Sequence, residues 1–304
     1  MRTNRRVMLA TGAMTAVAAW NGLRSAAEDA PAAEATGLGP LCLFAKHLQW
    51  LSHDALAQLL VDLDVAGIEA TIRRGGQVEP ADVGQGLPRL AEALGRRDRR
   101  VVIMTTDIHA VESPHAETTL RTAADLGIRH YRMAYYRYDL DRPILPQLDR
   151  FTKVAEDLAE LNRSLGLIGL YQNHAGERYV GAPLWDLRQM LDAIDSQALA
   201  AAYDLRHATV EAGMSWALDW AMIRPRVGAI YLKDFHWRDG KVENVPLGTG
   251  QVSPRLFAAA RDLGRPVPVS IHMEYIDHRD PDLIDACVAA YRADREAARR
   301  LIGV

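Results

Sequence analysis

The 304-residue chain predicts an α/β fold, a single (β/α)8 barrel of the TIM type. Three observations carry that expectation. From Leu41 onward, eight short apolar runs alternate with eight amphipathic segments, the order of a parallel barrel wrapped in helices. Most runs finish on charged or polar side chains, as active-site strand ends do in such barrels. No Gly-rich loop of the dinucleotide or P-loop type follows any run, which counts against the competing doubly wound sheet and its usual cofactors.

The expected strands are LCLF (41 to 44), GIEATI (67 to 72), RVVIMTT (100 to 106), HYRMAYY (130 to 136), LIGLYQ (167 to 172), LAAAYD (199 to 204), VGAIYLK (227 to 233) and VPVSIHME (267 to 274). Between and after them lie the helical patterns HDALAQLLVDLD, PRLAEALGRR, HAETTLRTAADLG, LDRFTKVAEDLAELNRSLG, PLWDLRQMLDAI, VEAGMSWALDWAMI, SPRLFAAARDLG and PDLIDACVAAYRADREAARRLI. Apolar residues recur every three or four positions, which turns one face of each toward a sheet. Ser253-Pro254 supplies a hydroxyl cap before a first-turn proline, and Gly127, Gly166 and Gly264 stand at C-cap positions. Phe235 to Gln251 reads as the longest late loop, placed with the Gly75 to Gly86 region to cover one barrel mouth.

Composition bounds the function. The chain is 49% hydrophobic and 25% charged with a net charge of -3, so it lacks the basic excess of a nucleic-acid-binding surface. Its two cysteines, Cys42 and Cys287, are too few for a disulfide framework or a thiolate metal cluster. At the amino end, Arg5-Arg6 precedes the apolar run VMLATGAMTAVAAW and the small residues Ser25-Ala26-Ala27. That pattern predicts a signal peptide over residues 1 to 27, of the twin-arginine type, a flexible leader over 28 to 39, and the barrel over 40 to 304. An uncut membrane anchor is the alternative, although 14 apolar residues are short for a span. Cleavage after Ala27 removes Arg2, Arg5, Arg6 and Arg24, leaving 32 basic against 39 acidic residues, a net charge of -7. The mature protein is then expected in the periplasm, without stable membrane insertion, and an oligomer is compatible with the sequence.

The strand ends hold the candidate chemistry: Lys46 and His47, Glu69 and Arg73, Thr106 and Asp107, Arg132, Asn173 and His174, Asp204 and His207, Lys233 and Asp234, and His272 and Glu274. Such groups are costly inside a barrel unless paired or ligated, and convergence on one mouth resolves that cost. Carboxylates and imidazoles suit one divalent metal ion, Mn, Co, Zn, Fe or Mg. The expected ligands are His174, Asp204, His272 and Glu274, against salt bridges, caps and hydrogen-bonded core histidines. Strand alternation turns His272 and Glu274 the same way. Lys233 either stabilises an oxyanion or pairs with a barrel carboxylate, and Asp234 orients Lys233, His236 or a loop. Glu69 is a substrate contact or a proton carrier, or else an ion-pair partner of Arg73 or Arg132. Lys46, Arg132 and His207 are further substrate-contact candidates. Trp237, with Trp50, Tyr135, Tyr136 and Tyr275, is a candidate stacking wall for a sugar ring, or core and lid packing.

The motifs FAKHLQWL (44 to 51), GIEATIRRGGQVEP (67 to 80), YLKDFHW (231 to 237), VPLGTGQV (245 to 252) and IHMEY (271 to 275) carry a resemblance. Over roughly residues 40 to 302 the chain is similar to the xylose-isomerase-like TIM barrels, which include sugar isomerases and epimerases, inosose dehydratases and endonuclease-IV-type enzymes; the motifs resemble an often exported bacterial subgroup. The resemblance implies a divalent ion held by Glu, Asp, His and Glu at the ends of strands five to eight. Asp204 and Glu274 match the sixth and eighth positions, and His207 matches a substrate-contacting histidine. Strand five offers Gln172, Asn173 or His174 in place of glutamate, and Tyr231 stands where the strand-seven histidine belongs. His174 is therefore expected as replacement ligand and base, with Glu274 as the other proton carrier and Lys233 as electrophile.

That constellation predicts a sugar isomerase or epimerase acting through an enolate. Proton return to the opposite face gives epimerisation, transfer to the neighbouring carbon gives isomerisation, and loss of a β-oxygen gives keto-glycoside elimination. Export favours a neutral sugar, keto-sugar or glycoside over a phosphorylated metabolite. The competing classes are metal-dependent phosphodiester cleavage, disfavoured by the acidic mature chain, and a noncatalytic periplasmic carbohydrate-binding protein.

Overall fold

Each apolar run pairs with its sequence neighbours, and the last returns to the first. In the computed structural model, which describes residues 37 to 304, the strands are β1 (Leu41–Phe44), β2 (Gly67–Ile72), β3 (Arg100–Thr106), β4 (His130–Arg132), β5 (Ile168–Gln172), β6 (Leu199–Asp204), β7 (Val227–Leu232), β8 (Asp234–Arg238), β9 (Lys241–Val245) and β10 (Val269–Ile271). Strands β1 to β7 and β10 close a parallel barrel, with Val269 of β10 opposite both Leu41 and Ile230. The described residues belong to the unit Ala35–Val304. The expected signal peptide and most of the leader lie outside them.

The expected (β/α)8 order is therefore present. The helices are α1 (His53–Asp62), α2 (Val83–Gly95), α3 (Ala116–Asp125), α4 (Ile144–Leu165), α5 (Trp185–Asp192), α6 (Leu205–Ala212), α7 (Trp216–Ile223), α8 (Pro254–Arg261) and α9 (Ile284–Ile302). Their buried faces, such as Leu56, Leu60, Leu87, Leu94 and Leu158, join the outward strand residues Leu43, Ile68, Tyr203 and Ile230 in one core. Inside the barrel, a smaller cluster of Cys42, Val102, Leu170, Ala200, Ala202, Ala229 and Tyr231 fills the lower layers. Strand alternation then lifts the next inward residues, including Gln172 and Asp204, to the carboxyl-terminal mouth.

Three departures from the sequence expectation position the site. The pattern read as one helix over 210 to 223 is divided: α6 starts directly after β6, and Gly213, at φ 53°, breaks the path before α7. The expected eighth strand stops at Ile271, so His272 and Glu274 stand on irregular backbone beyond it. The expected late loop contains an antiparallel hairpin, β8 with β9, turned by Asp239-Gly240 with φ of 50° and 72°. Asn244 of that hairpin donates to the Glu274 carbonyl at 3.2 Å, fastening the hairpin beside the mouth.

Candidate active site

The end of β6 organises the mouth. Asp204 caps α6 by accepting the His207 backbone N–H on Oδ1 at 3.0 Å, which explains the D-L-R-H spacing: a cap and the third residue after it share one turn. Asn173, just past β5, locks the neighbouring backbone by accepting from Asp204 N at 2.7 Å and donating to Asp204 O at 3.2 Å. The free oxygen, Oδ2, faces the mouth. It accepts from Gln172 Nε2 at 2.7 Å and lies 3.1 Å from Lys233 Nζ.

Lys233 is the centre of the arrangement. Its buried ammonium is 2.8 Å from Glu274 Oε2 and 3.1 Å from Asp204 Oδ2, with His207 Nε2 at 3.3 Å. The other Glu274 oxygen is 3.6 Å from Lys46 Nζ. Burial alone disfavours the charged lysine, but the Asp204 and Glu274 carboxylates outweigh it and raise the Lys233 pKa above its ordinary value. Burial likewise opposes ionisation of Glu274, yet Lys233, with His272 and Lys46 behind it, holds that carboxyl well below the usual range. Both groups are ionised at neutral pH.

Two histidines line the β5 and β6 side, their rings 4.1 Å apart. His207 Nδ1 accepts the Ala175 backbone N–H at 3.2 Å, and Nε2 faces the Lys233 ammonium at 3.3 Å and Asp204 Oδ2 at 3.7 Å. His174 directs Nδ1 at the Ala175 carbonyl, 2.8 Å away, so that nitrogen donates and Nε2 keeps a lone pair. Burial and then the Lys233 charge lower the His174 pKa to about 4 and hold that of His207 well below its ordinary value. Both rings are neutral at pH 7. Tyr135, 5.0 Å from His174 ring to ring, and Arg132 both donate to Gln172 Oε1, at 2.5 Å each.

Several expected site residues stand elsewhere. His272 does not join Glu274 at one ion: the strand has ended, and its Nε2 meets Glu69 Oε2 at 2.7 Å in a fully buried pair. The His272 ring is stacked between Phe44 and Tyr231, at 4.4 and 4.2 Å, and Thr105 donates to the other Glu69 oxygen at 2.5 Å. Burial pushes the Glu69 carboxyl up, but His272 dominates the opposing effects that bring it down to about 2. Glu69 is thus sealed under the mouth rather than presented to substrate. Trp237 lies on the hairpin, half exposed, with its ring edge-on to Phe235. Of the expected aromatic wall, Tyr135 borders the site, whereas Tyr136 stacks on Phe151 at 4.9 Å in the outer core.

The expected metal centre does not assemble. Among the described residues, no group of three or more His, Cys, Asp and Glu side chains is placed to hold a metal ion. His272 is committed to Glu69, and Lys233 stands between Asp204 and Glu274. Gln172 cannot replace the missing glutamate as a donor of charge. Because guanidinium only donates, Arg132 fixes the amide oxygen toward itself and leaves the amide nitrogen facing Asp204.

Asp234 has a structural task. Its carboxylate accepts four backbone N–H groups, from Phe235, Gly248, Gly250 and Val252, at 2.9 to 3.0 Å. Gly250 is required there, since a Cβ would fall 2.2 Å from Asp234 Oδ1 and 2.5 Å from the Phe235 carbonyl. Two contributors escaped the sequence reading: Arg206, 2.7 Å from His207 Nδ1, and Tyr179, whose ring lies 4.6 Å from His174. Arg206 was within sight as the residue before His207, while Tyr179 sits in a loop with no periodic signal.

With this geometry in place, the family is clear: the chain belongs to the xylose isomerase-like TIM barrel family, whose profile matches residues 57–298. Its fold resembles a xylose isomerase domain protein from Planctomyces limnophilus, at 14% identity and TM-score 0.62, covering 87% of this chain and 98% of that one. It also resembles the 3-keto-D-glucoside 4-epimerase YcjR of E. coli, at 15% identity and TM-score 0.59, with 87% and 98% covered. D-Psicose 3-epimerase from Clostridium cellulolyticum H10 superposes with TM-score 0.59 at 12% identity, covering 85% and 99%. At these identities the likeness is one of fold. No curated protein matches the chain by sequence.

Proposed function

We propose that the protein is a sugar isomerase or epimerase-like enzyme that takes a small keto-sugar or keto-glycoside at the barrel mouth and moves a proton next to its carbonyl. The observation that carries this reading is the buried Lys233 ammonium held between Asp204 and Glu274 at the strand ends. A carbonyl oxygen beside Lys233 takes a hydrogen bond from the ammonium, and negative charge developing on that oxygen draws the ammonium toward it. Glu274 loses part of its stabilising partner at the same moment. Its basicity therefore rises as the enolate forms, which suits removal of the α-proton. His174 Nε2, across the mouth with its lone pair free, is the second candidate to carry a proton.

Substrate hydroxyls extend toward the polar pocket lined by Lys46, Gln49, Arg73, Arg74, Asp107 and His278, about 310 Å³ in volume. The export signal expected at the amino end supports a periplasmic location and hence a neutral carbohydrate. The test is proton exchange in D2O with a panel of ketoses and 3-keto-glycosides, followed by NMR. Exchange at the carbon next to the carbonyl, lowered by about 10²- to 10⁴-fold in Glu274→Gln, supports the enzyme. Tight binding of the sugars with neither exchange nor turnover would establish the noncatalytic binding protein instead.

A further inference from the structure

Resting on that reading of the mouth, we infer that two lysine ammonium groups take the place a divalent ion would hold, so that the protein works without a metal. Three independent features point there. The first is position: Lys233 Nζ lies within 2.8 and 3.1 Å of the two carboxylates that are the charged remnant of the expected ligand set. The second is charge: Lys46 and Lys233 flank the two oxygens of Glu274, and their two positive charges balance the two carboxylates of Asp204 and Glu274. A divalent ion entering the same space would bring positive charge to carboxylates that are already balanced.

The third feature is the state of the remaining ligand positions. Gln172 directs an N–H donor, not an electron pair, at the space beside Asp204. Tyr231 is fully buried and stacked on His272, and His272 is itself bonded to Glu69. To admit an ion, Lys233 would have to leave both carboxylates while the Gln172 amide turned against Arg132. Each move leaves a buried charge or donor without its partner, a change that costs several kcal/mol in proteins generally. The glutamine, the tyrosine and the lysine are thus mutually consistent, and the barrel stores its electrophile as a side chain.

Metal binding to the folded wild-type chain decides the matter without needing a known substrate. The purified mature protein is dialysed against Mn, Co, Zn or Mg, and bound metal and thermal unfolding are measured. The expected result is metal well below one ion per chain and an unchanged Tm, where occupancy at a hundredfold excess over Kd raises Tm by roughly 5 °C or more. About one ion per chain with such a rise, abolished in Glu274→Gln, would overturn the inference. Once turnover is in hand, a rate unchanged in excess chelator supports it, and a rate lost to chelator and restored by a divalent ion overturns it. Failure to find any turnover counts against the enzyme reading alone, because the binding measurement stands by itself.

Discussion

Two carboxylates of the barrel interior meet opposite fates. Glu69 lies under the mouth, sealed with His272 and Thr105 and bearing no exposed surface. Glu274 lies at the rim, about one-fifth exposed, between two ammonium groups. Both are held ionised, yet only Glu274 can exchange its partners with an entering molecule. A lowered carboxyl pKa by itself therefore does not identify a functional acid: closure of the hydrogen-bonding shell marks structure, and a shell open on one side marks a place for an entering molecule.

The most severe way to break the contrast is to delete each carboxylate in turn. Glu69→Ala leaves His272 buried without its partner and should lower stability by about 3–5 kcal/mol, read by chemical denaturation. Glu274→Ala, where solvent reaches the site and Lys233 keeps Asp204, should cost only about 1 kcal/mol while removing proton exchange. Equal destabilisation by the two changes would erase the distinction drawn between them.

Acid offers a gentler separation. His47, His130 and His174 are lowered to about 4, each chiefly by burial, and His207 lies well below its ordinary value. A histidine held neutral in the fold but protonated when unfolded supports stability in full above its unfolded value near 6.5. That support is lost as pH falls from there toward the folded value. Glu69 and Glu274 are lowered carboxylates, so their contribution is present above an unfolded value near 4.5 and is lost only below it. Tm should therefore drop by on the order of 5 °C between pH 7 and pH 5, the histidines outweighing Asp294, whose carboxyl burial pushes up to about 6 and which works in the opposite direction. His130→Gln, at the start of β4 and away from the mouth, should make that decline shallower and leave proton exchange intact. A flat profile from pH 7 to pH 5 would contradict the buried neutral histidines.

The smallest effect belongs to Trp237. Half exposed and edge-on to Phe235, it should change stability by under about 0.5 kcal/mol when replaced by alanine. A rise in KM with kcat unchanged would extend the open side of the mouth onto the hairpin.

The barrel was legible because its signal is periodic: strands and helices announce themselves by spacing, and most of the apolar runs finish on polar residues at the same end. The Asp204–His207 turn was equally legible, since a cap and its third residue are local. What could not be read was partnership across the barrel. Glu69 and His272 are 203 residues apart, and no local pattern tells a histidine at the end of a strand to turn toward that glutamate instead of toward Glu274. The expected four-residue ligand set does not come together for the same reason. A lysine beside two carboxylates and a lysine beside none look alike in sequence, and only the closed barrel brings Lys233 between Asp204 and Glu274. Tyr231 and Gln172 were visible as departures from the family's ligand pattern, but their mutual fit with Lys233 required the fold.

Lys233 and Asp234 share a peptide bond, one side chain facing the mouth and the other gathering three backbone amides of the neighbouring loop. The ammonium and the scaffold of the rim are therefore not separable modules. Transplanting the 234 to 252 segment from a relative to alter substrate range would re-aim the lysine unless the aspartate and the close-packed Gly250 travelled with it. Substitutions in the β8–β9 turn, by contrast, leave untouched the anchor that holds the ammonium in place.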